Sequence, residues 1–246
     1  MSASGQPIDR EDEPQAPTSA GNRRAIRSFV TRAGRISPAQ QRAIDTMRHS
    51  HCIAYSSAPL DFAAVFERVA PTVLEIGFGM GAATAEIASA RPDVDFIGVE
   101  VHVPGIGALL KLIAEHGIAN LRIVEHDAVE VVRQMIPAAS LAGVHIFFPD
   151  PWHKARHHKR RLLNPAIVSL LASRLTHGGY LHCATDWEHY ADQMLEVLSA
   201  ESTLANAAGA GYSSPKNPLA TRPTTKFETR GLKLGHGVWD LIFVKR

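Results

Sequence analysis

Residues 72–81 read TVLEIGFGMG, an apolar, β-branched run that ends in Gly77, Gly79 and Gly81. The run predicts a buried strand, and the glycines predict a tight turn that lets a ligand approach the backbone at the start of the next helix. A dinucleotide-binding fingerprint has the spacing GxGxxG, whereas this loop has GxGxG. The loop therefore predicts a ligand site without specifying the ligand.

The chain around this stretch alternates short apolar runs with helical patterns. Strands are predicted at 72–78, 95–101, 121–127, 143–150 and 178–186. Helices are predicted near 80–91, 104–116, 128–135, 164–177 and 187–199. Such alternation is typical of right-handed βαβ units, which build a parallel sheet with helices on both faces.

The C-terminal residues depart from this rhythm. Two extended stretches, 227–235 and 237–246, lie almost back to back, and so short a connection cannot hold a crossover helix. They are therefore predicted to pair antiparallel. The resulting prediction is an α/β fold: a doubly wound, mostly parallel seven-stranded sheet with a C-terminal antiparallel hairpin.

Composition divides the 246 residues into three parts. Residues 1–22, rich in Ser, Pro and acids, predict a disordered acidic tail. Residues 23–50 form a basic N-terminal arm with seven arginines against the single acid Asp45, either a solvated leader or a contact for an anionic partner. Within the arm, Ser37 is a candidate N-cap and Pro38 the first residue of a helix. Residues 51–246 predict one domain.

The two cysteines, Cys52 and Cys183, lie far apart and form no CxxC pattern. This usage predicts a reducing, cytoplasmic location and no disulfide scaffold. The absence of a secretory pattern and of any run of ~18 apolar residues predicts no membrane association.

Three predicted strands carry an acid near one cleft: Glu75 just before the glycine loop, and Glu100 and Asp127 at the ends of the next two strands. Glu100 is placed to accept from ribose hydroxyls, and Asp127 to meet an adenine edge. Three carboxylates disfavour a pyrophosphate and suit a cationic ligand that carries an adenosine, which predicts S-adenosylmethionine as cofactor. The alternatives are a structural capping or ion-pair role for Glu75 and a plain surface turn for Asp127.

Residues 147–161 read FFPDPWHKARHHKRR and place Asp150, between two prolines, at the end of the fourth predicted strand. The prolines restrict the backbone on both sides, so the carboxylate is held in an extended pose. Trp152 would either stack on a base or close the pocket floor. The basic run that follows would neutralise several phosphates, or would form a solvated loop. No metal site is predicted at His157 and His158, because no acid or cysteine partners them and the adjacent arginines would repel a cation.

At this point the residues match a known family: the chain resembles bacterial tRNA (guanine-N7-)-methyltransferases, a Rossmann-like branch of the class I S-adenosylmethionine-dependent methyltransferases. The resemblance spans residues 27 to 241 and rests on several blocks. They are RSFVTRAGRISPAQQRA (27–43), LEIGFGMG (74–81), FIGVEVH (96–102), FPDPWHKARHHKRRL (148–162), ATDWEHYADQM (184–194) and TKFETRGLKLGHGVWDL (225–241). The Pro-Asp-Pro-Trp-His-Lys and Thr-Lys-Phe-Glu sequences are the most specific.

The resemblance implies methyl transfer from S-adenosylmethionine to N7 of the guanine at position 46 in the tRNA variable loop. It implies that Asp150 is the active-site acid and that the cofactor is held by Glu75, Gly77, Gly79, Gly81, Glu100, Asp127 and Asp150. It implies guanosine binding by Lys154, Asp186, Thr225, Lys226, Phe227 and Glu228. It implies RNA contacts by Arg156, His157, His158, Lys159, Arg160 and Arg161.

Guanine N7 carries an in-plane lone pair and needs no base before it attacks the sulfonium methyl. We therefore expect Asp150 to orient the guanine and to stabilise the developing positive charge, rather than to abstract a proton. Three other functions are compatible with parts of the sequence. They are methylation of a small molecule or protein, a nicotinamide-dependent oxidation that the glycine spacing disfavours, and non-catalytic RNA binding on the same fold.

Overall fold

The structure is a computed structural model that describes Phe29 and residues 34–219, 222–223, 228 and 237–246. Eight strands in the described residues form one sheet in the order β1-β4-β3-β2-β5-β6-β8-β7. The strands are β1 (Cys52–Ile53), β2 (Thr72–Ile76), β3 (Asp95–Glu100), β4 (Leu121–Glu125), β5 (Leu141–Phe147), β6 (Leu175–Thr185), β7 (Leu204–Asn206) and β8 (Trp239–Lys245). Strands β1 to β6 pair parallel, and β8 pairs antiparallel with both β6 and β7.

Helices cover both faces of the sheet, as a doubly wound fold requires. They are α1 (Pro38–His51), α2 (Phe62–Phe66), α3 (Ala82–Ala90), α4 (Val103–His116), α5 (Ala128–Gln134), α6 (Pro165–Arg174) and α7 (Glu188–Ala200), with a 3₁₀ helix at Ala155–Arg160. Residues of α1, α3 and α4 share one buried cluster, and residues of α2, α5, α6 and α7 share the other. The central strands β2, β3 and β5 are almost fully buried because they face apolar helices on both sides.

The predicted α/β fold is confirmed. The five parallel strands and the five helices predicted from residue 72 to residue 199 are all present, with boundaries that differ by a few residues. The sheet has eight strands rather than seven among the described residues, because β1 and β7 are only two and three residues long and leave little alternation to read. The antiparallel end is present in β8, whereas its predicted partner, 227–235, lies outside the described residues except for Glu228.

Helix α1 begins as the sequence predicts. Ser37 is the N-cap, and its side chain and that of Gln40 form a reciprocal capping box. Ala43 and Ile44 are buried in the cluster that α4 also enters, so this half of the basic arm is part of the folded domain. The predicted disordered tail, 1–22, lies outside the described residues.

The chain order reverses between β2 and its neighbours β3 and β5. In open α/β sheets, ligands bind at such a switch point, in the crevice beyond the carboxyl ends of the strands. The loops that follow β2, β3, β4 and β5 therefore define the place to search for a site. In the part of the chain that the structure describes, none of the helices has the length and apolar character needed to cross a membrane.

Candidate active site

The glycine loop that follows β2 has left-handed backbone at all three glycines, with φ of 76° at Gly77, 57° at Gly79 and 74° at Gly81. Side chains other than glycine rarely adopt these angles. A Cβ at Gly77 or Gly79 would meet no atom of the described residues within 4 Å, so both positions border space that these residues leave open. The loop also packs tightly from behind, because a Cβ on Gly105 of α4 would lie 2.1 Å from the Gly79 carbonyl oxygen.

Glu100, at the end of β3, is fixed by the backbone around it. Its carboxylate accepts hydrogen bonds from three N–H groups, those of Gly79 (2.9 Å), Val101 (2.7 Å) and His102 (3.0 Å). A carboxylate has about four lone-pair positions, so these bonds orient the group and leave Oε2 with room for a ribose hydroxyl. Glu100 thus connects the glycine loop to the start of α4.

Glu75 lies inside β2 and is only 4% exposed. Its Oε2 makes no hydrogen bond within the described part of the chain. Burial raises the pKa of Glu75 to about 7, against the opposing effect of the Thr84 hydroxyl and with a smaller contribution from the charge of Glu100. The ion-pair or capping role that the sequence left open for Glu75 is not found among the described residues.

Asp127, after β4, is the N-cap of α5, and its side chain accepts a hydrogen bond from the Val129 N–H at 2.9 Å. The preceding residue, His126, stacks on Tyr55 at 3.7 Å between ring centroids. His126 and Ala128 line the cavity, while the side chain of Asp127 is turned to the helix. Among the three predicted cofactor acids, Asp127 is therefore the one whose carboxylate caps a helix.

The loop after β5 brings Asp150 to the same cleft. Phe148 has a positive φ of 51°, and its N–H donates to the Ala184 carbonyl of β6 at 2.8 Å, which bends the chain over the sheet edge. Asp150 is exposed and lines the cavity. Trp152 also has a positive φ, 47°, and the Arg160 guanidinium covers its ring at 3.8 Å. That contact occupies one face of the Trp152 ring. The sequence alone leaves two roles for this ring, stacking on a base and closing the pocket floor.

These loops enclose a cavity of about 440 Å³ at the switch point. Its walls include Gly77, Gly79, Glu100 and Asp150, together with Phe29 from the N-terminal arm. Glu75, Gly81 and Asp127 are not among the described residues that line it. The structure thus brings four of the seven predicted cofactor residues directly to one cavity, and the other three do not line it.

The basic run divides into exposed and buried members. Lys154, Arg156 and Lys159 are exposed beside the cleft, and His157, His158 and Arg160 are partly buried. Partial desolvation and the cations around it lower the pKa of His157, which fits a positively charged surface. Groups of acids, histidines or cysteines able to hold a metal ion are absent from the described residues.

Arg161 differs from the rest of the run because it is 2% exposed. Its guanidinium donates to the Pro151 carbonyl at 2.9 Å and to the side chain of Gln193, and it lies over the Tyr190 ring at 4.7 Å. Arg161 therefore fastens the Asp150 loop to α7 and is turned away from solvent. We correct the expectation that Arg161 contacts RNA, since its guanidinium is already used inside the protein.

The predicted guanosine-binding residues are only partly described. Lys154 is exposed at the start of the 3₁₀ helix, and Asp186 follows β6, next to a Trp187 ring that packs edge-on against His153 at 4.2 Å. Thr225, Lys226 and Phe227 lie outside the described residues. Glu228 is described, and Arg222 binds its carboxylate.

Sequence reasoning missed Arg222, Asp240 and His182. The three side chains form a connected group in which Arg222 binds Asp240 and His182 Nε2 lies 2.8 Å from the same Asp240 oxygen. His182 and Asp240 lie on neighbouring strands within otherwise apolar segments. Because buried polar residues in such strands need partners, this pattern was the signal that could have revealed the group.

A family model described as "Putative methyltransferase" matches residues 69–241. The chain is 64% identical over 230 residues to a tRNA (guanine-N(7)-)-methyltransferase from Paraburkholderia xenovorans (strain LB400), which covers 94% of this chain and 87% of that protein. It is 65% identical over 223 residues to the protein of the same name from Burkholderia cenocepacia (strain HI2424), which covers 91% of this chain and 86% of the relative.

Solved structures show the same architecture at low identity. The 16S rRNA methyltransferase KamB matches with a TM-score of 0.55 and 15% identity, over 75% of this chain and 92% of that one. A mutant 16S rRNA (adenine(1408)-N(1))-methyltransferase with cosubstrate SAM, from Catenulisporales acidiphilia, matches with a TM-score of 0.51 and 18% identity, over 76% of this chain and 92% of that one. At these identities the likeness concerns the fold alone.

Proposed function

Since this chain belongs to the bacterial tRNA (guanine-N7-)-methyltransferase family, we propose that it transfers the methyl group of S-adenosylmethionine to N7 of the guanine at position 46 in the tRNA variable loop. The observation that carries the proposal is the identity of about two thirds with curated relatives of that name over more than nine tenths of the chain. The cleft at the switch point supplies the matching chemistry.

The cleft fits S-adenosylmethionine. Among the described residues, the buried Oε2 of Glu75 has no hydrogen-bond partner and the space beside Gly77 and Gly79 is open, which suits a cationic ligand with an adenosine. In the proposal, Glu100 binds the ribose, and the end of β4, where the Asp127 carboxylate caps α5, faces the adenine. Glu75, Gly81 and Asp150 complete the proposed cofactor site. When bound, the cofactor supplies an electrophilic methyl group on a sulfonium.

Asp150 then has two tasks, neither of which is proton abstraction. The nucleophile N7 already carries its lone pair, so the carboxylate accepts from the guanine N1–H or N2–H and fixes the base. As the methylated base becomes positive, the same carboxylate stabilises the charge in a pocket walled by Phe148 and Leu162. Alignment of the reacting atoms provides much of the remaining rate enhancement, since positioning can contribute about 7–11 kcal/mol.

Lys154, Asp186, Thr225, Lys226, Phe227 and Glu228 are the proposed guanosine-binding residues. Arg156, His157, His158, Lys159 and Arg160, which we call the basic rim, are the proposed RNA contacts. Arg161 is left out because it is buried. Exposure of Arg156 and Lys159 close to the Asp150 loop supports phosphate contacts at this rim. The proposal places the reaction in the cytoplasm, where the thiols of Cys52 and Cys183 stay reduced.

The test is to incubate the protein with an unmodified tRNA transcript and cofactor labelled in its methyl group, then to digest the RNA and identify its nucleosides. We expect the label in 7-methylguanosine. Label in another nucleoside would contradict the proposed acceptor atom. Cofactor binding without any label in RNA would contradict the tRNA substrate and would favour a small-molecule or protein acceptor.

A further inference from the structure

Arg222 is an internal arginine next to the block that the family resemblance assigns to guanosine. Its side chain is 7% exposed. The guanidinium donates through Nη1 and Nη2 to the two carboxylate oxygens of Glu228, and this side chain is 13% exposed. A bidentate pair of this kind fixes the carboxylate in the plane of the guanidinium, which a single hydrogen bond does not do.

The other edge of Arg222 is tied to the sheet. Nε and Nη2 donate to the two carboxylate oxygens of Asp240, both at 2.7 Å. Asp240 belongs to β8 and pairs in register with Ala184 of β6, and His182 of β6 also contacts its carboxylate at 2.8 Å. The position of Arg222 is therefore set by two strands of the rigid core.

Arg222 also packs on the cavity wall. Its Cζ lies 5.4 Å from the ring centroid of Phe148, and Phe148 lines the cavity two residues before Asp150. The guanidinium thus touches the Asp150 loop, a core strand and Glu228 at once. This arrangement joins the loop that carries Asp150, through Phe148, to Glu228, the residue proposed to read the base.

We propose that Arg222 is a positioning residue for guanine recognition, which holds the Glu228 carboxylate at a fixed angle relative to the Asp150 loop. The inference rests on the proposed function, because it takes Glu228 to be an acceptor for the guanine Watson–Crick edge. Arg222 itself does not touch the base in this account. It acts by presenting Glu228 already oriented, so that little ordering remains when guanine binds.

The charges of the group agree with this role. One guanidinium faces two carboxylates, so the cluster carries net negative charge although it contains an arginine. A lone arginine beside the cavity would oppose the positive charge that develops on guanine. Because both edges of Arg222 are paired with carboxylates, it orients Glu228 without repelling the positive charge on the guanine.

The experiment is a double-mutant cycle of tRNA methylation with Arg222→Gln, Glu228→Gln and the double variant. We expect each single change to lower kcat/KM for tRNA on the order of 100-fold, while the cofactor Kd stays within about threefold of wild type. If Arg222 acts through Glu228, the kcat/KM of the double variant lies within about threefold of that of the less active single variant, because the effects of coupled residues do not add. A double variant whose loss of kcat/KM equals the product of the two single losses would overturn the inference.

Arg174→Gln is the matched control, since Arg174 also joins two elements, through the carbonyls of Val132 and Arg133, but lies outside the cleft. We expect this control to keep kcat/KM within about threefold while its thermal stability falls. If Arg222→Gln does not bind cofactor, the cycle is repeated with Arg222→Lys, which keeps the positive charge but cannot form the bidentate hydrogen bonds of a guanidinium. Absence of 7-methylguanosine with wild-type protein would overturn the proposed function and this inference together, whereas multiplying losses in an active enzyme would overturn only the inference.

Discussion

Two carboxylates of the sheet, Glu75 in β2 and Asp240 in β8, are both withdrawn from solvent but have pKa values shifted in opposite directions. Glu75 of β2 has an oxygen without a partner among the described residues, and burial raises its pKa to about 7. Asp240 of β8 is largely buried, which alone would raise its pKa, but the hydrogen bonds from Arg222 and His182 lower it to about 2. The carboxylate proposed for the cofactor therefore lacks a cation among the described residues, whereas the carboxylate beside the proposed guanosine-binding Glu228 is already paired by the chain.

In the proposed function, this difference between Glu75 and Asp240 determines how the cofactor and the guanine bind. An unpaired carboxylate in a low-dielectric site is costly, and a cationic ligand removes that cost when it binds. A carboxylate already paired with arginine contributes rigidity instead, which suits a side that must hold a base at a defined angle. Four predictions test this division, from the largest expected effect to the smallest.

Asp150 stands between the two sides, exposed and on the cavity wall. If it stabilises developing charge, Asp150→Asn lowers kcat for tRNA methylation by on the order of 100-fold. Rapid-quench measurement of a single turnover is the appropriate assay, with Asp93→Asn, an exposed aspartate outside the cleft, as control. Full activity with unchanged cofactor affinity would contradict the role assigned to Asp150.

Removal of the paired carboxylate should destabilise the fold. Asp240→Ala leaves Arg222 and His182 without their shared partner, and breaking a buried pair from one side costs about 3 kcal/mol. Urea unfolding at pH 7 measures the free energy of unfolding, with Asp93→Ala as the matched exposed control. A loss no larger than that of the control would show that the Arg222 pair adds no rigidity to this side.

Removal of the Glu75 carboxylate should change the free energy of unfolding in the opposite direction, because this carboxylate has an oxygen without a partner among the described residues. The folded pKa of Glu75 lies above its ordinary 4.5, so its contribution to stability is fully present below pH 4.5 and is lost as pH rises through about 7. Glu75→Gln should therefore raise the unfolding free energy by about 2 kcal/mol at pH 8 and leave it nearly unchanged at pH 4.5.

The same variant should weaken cofactor binding about tenfold, because the cation loses its charged partner. Glu86→Gln, on the exposed face of α3, is the control for both measurements. The account of Glu75 fails if the variant is destabilised at pH 8 or binds cofactor as wild type does.

The smallest effect concerns the basic rim. Lys159→Ala should weaken tRNA binding a few-fold and reduce the slope of log Kd against log salt by about one, as the loss of one phosphate contact does. Arg161→Ala should leave that slope unchanged, because Arg161 is buried. Filter binding over a range of salt concentrations separates the two, and equal slopes for both variants would contradict the division into exposed and buried members.

Much of the fold could be predicted because alternation of apolar strands and amphipathic helices is a local signal. The strand ends could be predicted too, so Glu100 and Asp150 fall in one cavity as expected. The roles of Arg161 and Arg222 could not, since both depend on which distant element each guanidinium meets. In the sequence, Arg161 is one member of a basic run, and only the structure shows its contact with Gln193 of α7. Arg222 belongs to no sequence motif, and only the structure shows its ion pair with Asp240 of β8.

The most direct test of the central claim compares three tRNA substrates that differ only at position 46: guanosine, adenosine and 7-deazaguanosine. The last retains the Watson–Crick edge that Glu228 and Asp150 are proposed to read and replaces N7 with carbon. We predict methyl transfer only to the guanosine substrate, with the label in 7-methylguanosine, and tRNA binding for the 7-deazaguanosine substrate within about threefold of guanosine. Equal methyl transfer to all three would contradict both the site and the acceptor atom.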